Sequence, residues 1–212
     1  MFNDIKKILI LAPHADDGEF GCGGTIAKLI EKGKKVHYVV FSTCEDSIPK
    51  GFPKDILKKE LKQATKTLGI ISENLIILNY PVRLFPQNRQ AILEEMVKLK
   101  KKIDPDLVFM PSLHDIHQDH LTIAQEGLRA FKHASILGYE DPWNNLTFDT
   151  ACFSYLTEEH IKRKIEAIKK YKSQAKKLYA TEKFVRSLAH TRGIQIGVEY
   201  AEAFEVIRWI IK

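Results

Sequence analysis

The chain has 212 residues, 44% of them hydrophobic, and carries a formal charge of +6. That is enough to bury one full core, and no stretch reads as a low-complexity linker, so a single domain over 1–212 is expected. The N-terminal apolar run of about seven residues is too short for a signal h-region or a membrane span, which predicts a cytoplasmic protein with no membrane span.

Two further classes are disfavoured. Cys22, Cys44 and Cys152 are odd in number and widely spaced with no Cys-x-x-Cys pair, against both a disulfide framework and a thiolate zinc site. The positive charge admits an anionic partner, but the densest basic stretch, 162–177, sits among Ile161, Ile165, Ile168 and Tyr171 at helical spacing. It reads as the solvated face of an amphipathic helix, and no nucleic acid partner is expected.

In chain order, apolar strand-like runs at 6–12, 35–42, 74–80 and 106–111 alternate with helical patterns at 24–32, 54–68 and 89–102. Gly33 and Gly69 stand where helix stops belong. Continuous Ile/Leu/Val runs indicate strands covered on both faces, as in a parallel sheet with crossover helices. A helix begins close to His120, strands follow at 134–139 and 148–155, and Thr157-Glu158-Glu159 opens the basic helix. A further helical pattern near 181–189 and an apolar stretch at 203–211 complete the chain. The expectation is an α/β fold with a mostly parallel sheet.

If the first four strands follow the common doubly wound order, strands one and four are neighbours across the topological switch point, where open α/β sheets bind ligands. Each of these strands runs into a polar cluster: Pro13-His14-Ala15-Asp16-Asp17-Gly18-Glu19 after the first, and His114-Asp115-Ile116-His117-Gln118-Asp119-His120 after the fourth. Topology thus brings together two segments about a hundred residues apart. Histidine and aspartate are also ordinary turn and cap residues, so neither cluster is diagnostic alone.

Together they hold the ligands that zinc takes, three of which with an open position make a catalytic site. His14 and Asp17, three apart on a tight turn, can face one ion, and His120 completes the set. Asp16 between them is placed as general base. His117 is placed to stabilise an oxyanion or protonate a leaving amine, and Asp119 to orient an imidazole. A competing set, His114, His117 and His120, would leave the first turn without a role. Gly21-Cys22-Gly23-Gly24 lies at a strand-to-helix junction but is not Gly-x-Gly-x-x-Gly, and the acidic turn before it would repel a pyrophosphate.

Residues 12–17 (Ala-Pro-His-Ala-Asp-Asp), 21–26 (Gly-Cys-Gly-Gly-Thr-Ile), 117–120 (His-Gln-Asp-His) and 197–204 (Gly-Val-Glu-Tyr-Ala-Glu-Ala-Phe) resemble, in the same order, the PIG-L/LmbE family of zinc-dependent deacetylases. The resemblance implies a Rossmann-like three-layer fold and zinc on His14, Asp17 and His120. It also implies Asp16 as base, His117 as oxyanion donor or acid, and hydrolysis of the acetyl group from an N-acetylglucosamine unit or its conjugate. A homo-oligomer is expected on the same ground. The family turn is usually His-Pro-Asp-Asp-Glu; Ala15 replaces the proline and Gly18 the glutamate, with Glu19 one place later. Substrate contacts are expected from Arg83, then Arg89 and Arg192, with Trp143 as an apolar platform for a sugar ring. Alternatives are an amidase of a bulkier thiol-sugar conjugate, its choice set by the loop from Cys44 to Pro53, and a non-catalytic sugar- or metal-binding module.

Overall fold

A computed structural model describes residues 5–211. Its centre is β1 (Lys7–Ala12), whose residues Ile8 to Ala12 are all buried. Successive side chains of a strand point to opposite faces. Ile8, Ile10 and Ala12 therefore join one core cluster with Ile26, Leu57, Leu61 and Leu68, while Leu9 and Leu11 join another with Ile92, Met96, Leu99 and Ile123. A strand that feeds two cores must be apolar at every position, which is why its sequence shows no alternation.

The helices supplying those cores are α1 (Asp17–Glu31) and α2 (Ile56–Leu68) on one face, and α3 (Arg89–Ile103) and α4 (Gln118–Ala130) on the other. Each fully buried leucine among them contributes about 1.5–3 kcal/mol. With β2 (Lys35–Val40), β3 (Leu75–Ile77), β4 (Leu107–Pro111), β5 (Ser135–Tyr139), β6 (Cys152–Leu156) and β7 (Tyr200–Arg208), the sheet runs β3-β2-β1-β4-β5-β7-β6. All pairings are parallel except those of β7, which runs antiparallel to both β5 and β6. β1 and β4 are neighbours, Ile8 opposite Leu107 and Ile10 opposite Phe109, so the switch point falls where the strand order predicts.

Two helix boundaries differ most from those the sequence predicts. α1 begins at Asp17, not at 24, because it is two helical pieces joined at Cys22 (φ −146°). Glu202 of β7 accepts hydrogen bonds from the N–H groups of Gly24 (3.0 Å) and Thr25 (2.7 Å), capping the second piece. Lys164 bridges the break, donating to the Phe20 carbonyl (2.6 Å) and to Glu202 (2.7 Å). A Cβ on Gly24 would lie 2.5 Å from Leu156 Cδ1, so only glycine allows this approach. The Gly24 and Thr25 amides at the end of the glycine run are thus already occupied by a carboxylate.

The basic helix, α5 (Glu158–Ile168), stops well short of 177. Ile161, Ile165 and Ile168 are buried as the periodicity requires, but the chain then turns, and Tyr171 is buried from outside the helix. α6 (Glu182–Ile194) follows. Cys22, Cys44 and Cys152 are unpaired, the first buried and the other two half-buried. Among the described residues no helix is long and apolar enough to cross a membrane.

Candidate metal centre and active-site cleft

The first cluster forms the junction between β1 and α1. Asp17 opens the helix, where a carboxylate meets the positive end of the helix dipole, and its Oδ2 accepts the His14 N–H at 2.7 Å. Asp16 occupies the N-cap position but makes no capping bond, which leaves its carboxylate uncommitted to the helix. The second cluster opens α4. His117 is its N-cap, with Nδ1 accepting the Asp119 N–H at 3.2 Å, and His120 lies one turn in.

Three atoms from these junctions form a nearly equilateral triangle. His14 Nδ1 and Asp17 Oδ2 are 3.2 Å apart, His120 Nε2 and Asp17 Oδ2 3.2 Å, and the two imidazole nitrogens 3.2 Å. Ligands about 2.0–2.1 Å from a tetrahedral zinc lie about 3.3 Å from one another, so this donor set fits the ion in both chemistry and spacing. The other ring nitrogen of each histidine faces a carboxylate: His14 Nε2 and Asp119 Oδ2 at 2.9 Å, His120 Nδ1 and Asp115 Oδ2 at 2.7 Å. Such partners accept a hydrogen bond from the ring N–H and so turn the remaining lone pair toward the metal position. Wider groupings, His14 with His117 and His120, and Asp17 with His120 and Asp141, also bring ligand atoms within 4.8 Å.

The electrostatics match a cation. Asp16, Asp17, Asp115, Asp119 and Asp141 are all buried around this point. Burial works against a charge on His120, but Asp17 and Asp115 outweigh it and raise the imidazole well above its ordinary range; burial opposes charge on His14 too, and Asp17 and Asp119 outweigh it and raise that imidazole. Burial also opposes ionisation of Asp17, yet the two histidines hold it well below the usual carboxylate range. Asp141 is the exception. Burial, reinforced by Asp17, pushes it well above that range, and neither of its oxygens has a hydrogen-bond partner among the described residues; Oδ2 is 3.6 Å from His120 Nδ1. His117 is pushed down by burial and by His120 and His14 beside it.

A cleft of about 330 Å³ opens over the triangle. Its lining includes His14, Asp16, Asp17, His117 and His120, and, of the four expected substrate contacts, Arg83 and Trp143. Arg83 adopts a left-handed backbone (φ 68°), clamped by Asp119 Oδ2 accepting its N–H at 2.6 Å. Trp143 stacks on Tyr179 with ring centroids 3.8 Å apart and planes 11° from parallel. Arg89 and Arg192 are not brought to the cleft: Arg89 is ion-paired with Glu126, and Arg192 with Glu140. His114 is also turned away, with Nδ1 2.9 Å from Glu205 Oε1. Cys44 and Ser47 line the cleft from the loop after β2.

The replaced turn residues have local compensation. A Cβ on Gly18 would lie 2.5 Å from Tyr38 Oη, so glycine is required by the tyrosine that fills the space. That hydroxyl bonds Glu19, as does the Tyr171 hydroxyl at 2.9 Å, and Tyr171 also bonds the Ala15 carbonyl. Burial pushes Glu19 up to about 8. Four residues at the site carry no assigned role in the sequence reading: Asp115, Asp141, Lys177 and Tyr179. Asp115 lies inside the second cluster and was open to assignment; the others arrive only through tertiary folding. Lys177 Nζ is 3.2 Å from Asp16 Oδ2. Burial opposes its charge, but Asp16 and Tyr179 outweigh that and raise it above the lysine range.

Fold and site define an α/β protein with a His/Asp cluster suited to a metal ion at the switch point of its sheet. The family model described as PIG-L, GlcNAc-PI de-N-acetylase, matches residues 9–131. The uncharacterized deacetylase YaiS of Escherichia coli K12 is 32% identical over 177 residues, 81% of this chain and 93% of that protein. Diacetylchitobiose deacetylase of Thermococcus kodakarensis is 25% identical over 97% of this chain and 85% of its own length. The structure of N,N'-diacetylchitobiose deacetylase from Pyrococcus horikoshii, in complex with its inhibitor MPG, superposes with a TM-score of 0.82 at 25% identity, covering 97% of this chain and 85% of that one. The chain belongs to the PIG-L family of deacetylases, as its two motifs imply.

Proposed function

We propose that the protein is a zinc-dependent N-deacetylase that hydrolyses the acetamide of an N-acetylglucosamine-type amino sugar or its conjugate, giving acetate and a free amine. One observation carries the reading: three ligand atoms at equal 3.2 Å separations beside a buried carboxylate, Asp16, that caps nothing. His14, Asp17 and His120 would hold the metal. When bound, zinc supplies Lewis acidity, polarising an amide carbonyl and bringing the pKa of a water to about 7.

The chain's own residues divide the remaining work. Asp16 takes the proton of the attacking water as general base. His117 accepts the Asp119 backbone N–H on Nδ1, so its neutral form carries its hydrogen on Nε2 and offers it as a hydrogen bond to the carbonyl oxygen as negative charge develops there. The proton taken up by Asp16 passes to the departing amine nitrogen. Asp119 and Asp115 hold the two ligand histidines in orientation. The Trp143–Tyr179 stack offers an apolar face to a sugar ring, and Arg83 a donor to its substituents. The relatives named for diacetylchitobiose support the amino-sugar class. Assembly as a homo-oligomer in the cytoplasm belongs to the same proposal.

The test separates metal from base. Asp16→Ala is expected to keep its zinc while kcat falls by about 10²–10⁴-fold, whereas His14→Ala and His120→Ala lose metal first. An Asp16→Ala protein with unchanged turnover overturns the assignment.

A further inference from the structure

The candidate base is braced by a segment that the sequence reads only as the end of a basic helix. After α5 the chain leaves the helical path and runs from Tyr171 to Tyr179 along the cleft, anchored at both ends. At one end the Tyr171 hydroxyl bonds the Ala15 carbonyl and Glu19, and Ser173 donates its N–H and hydroxyl to the two oxygens of buried Glu60, at 3.0 and 2.5 Å. At the other end Tyr179 is stacked on Trp143. Between these anchors Lys177 presents Nζ to Asp16 Oδ2 at 3.2 Å, with the ammonium 5.3 Å from the Tyr179 ring centroid. All the strap's bonds to the first cluster therefore fall on Ala15, Asp16 and Glu19, between or beside the ligands His14 and Asp17.

Asp16 needs such a partner. It makes no capping bond, and among the described residues Lys177 is the side chain that bonds its carboxylate. The segment from His14 to Asp17 contains no proline to fix its backbone. A carboxylate left free rotates about its last bond, and a base must meet its proton in one geometry. A charge-assisted N–H···O bond holds one oxygen and leaves Oδ1 to receive the proton.

We propose that Lys177 is a positioning residue: the 171–179 strap carries its ammonium to Asp16 Oδ2 so that the carboxylate keeps one orientation toward the bound amide. This rests on the deacetylase reading with Asp16 as base. Lys177→Met keeps the length and apolar contacts of the side chain and removes the bond; Lys177→Arg restores a donor.

In zinc-loaded protein, Lys177→Met is expected to lower kcat about 10- to 100-fold, with KM, bound zinc and Tm close to wild type, and Lys177→Arg to recover most of the loss. An unchanged kcat, a rise in KM alone, or a loss that only tracks departing zinc each overturns the proposal. If the wild type itself releases no acetate, the deacetylase reading fails, and crystal structures of the wild type and Lys177→Met decide the positioning separately. An Asp16 carboxylate displaced or split between rotamers, with His14, Asp17 and His120 unmoved, supports it. One unchanged Asp16 rotamer overturns it.

Discussion

In an Asp119→Asn variant the amide cannot satisfy all the donors that the carboxylate accepts. Oδ2 receives the Arg83 N–H at 2.6 Å and faces His14 Nε2 at 2.9 Å, while Oδ1 receives the Phe85 N–H at 3.2 Å. If the new NH₂ group replaces Oδ2 it meets two donors; if it replaces Oδ1 it meets one, so the second orientation is preferred and the Phe85 amide is stranded. A buried donor without a partner costs about 1–3 kcal/mol. The bond to His14 survives but loses its charge, and weakening such a partner lowers metal affinity about 10- to 100-fold. Urea unfolding of the zinc-free protein reads the first effect, and competition with a chromogenic chelator reads the second. Stability and zinc affinity both equal to wild type would refute the reasoning, because they would show that Asp119 neither ties the loop carrying Arg83 nor orients His14.

Two other substitutions probe the frame around the site. Glu202→Ala strips the Gly24 and Thr25 amides of their acceptor and leaves Lys164 buried without its carboxylate, so urea unfolding should show a loss of about 3–5 kcal/mol; a loss under about 1 kcal/mol would contradict the bridged-helix account. Gly18→Glu, which restores the residue usual in the family, places a Cβ 2.5 Å from Tyr38 Oη and is expected to lower Tm and zinc affinity, and a variant binding zinc as tightly as wild type would contradict the packing argument.

Local patterning made the sheet legible. The apolar runs of β1, β2 and β4 report strands buried on both faces, and the switch-point rule then places His14 and His120 together from strand order alone. The juxtaposition of His14, Asp17 and His120 with Asp16 beside them is legible for the same reason, since each residue lies within a short segment at a strand end. What was hidden depends on partners far along the chain. The first half of α1, Asp17 to Gly23, carries three glycines and reads as a loop; Glu202 and Lys164, from β7 and α5, hold its helical pieces together. α5 ends without a glycine or proline signal, so its basic continuation conceals the strap, and with it Lys177 and Tyr179. Arg89 and Arg192, expected as substrate contacts, lie outside the cleft lining because Glu126 and Glu140 hold them.

Acetate release from a panel of N-acetylglucosamine conjugates, measured before chelation, after chelation and after zinc is restored, tests the central claim most directly. Release is expected to stop on chelation and to return with about one zinc per chain. Release that persists in metal-free protein, or a protein that binds no zinc at the His14, Asp17 and His120 triangle, would contradict it.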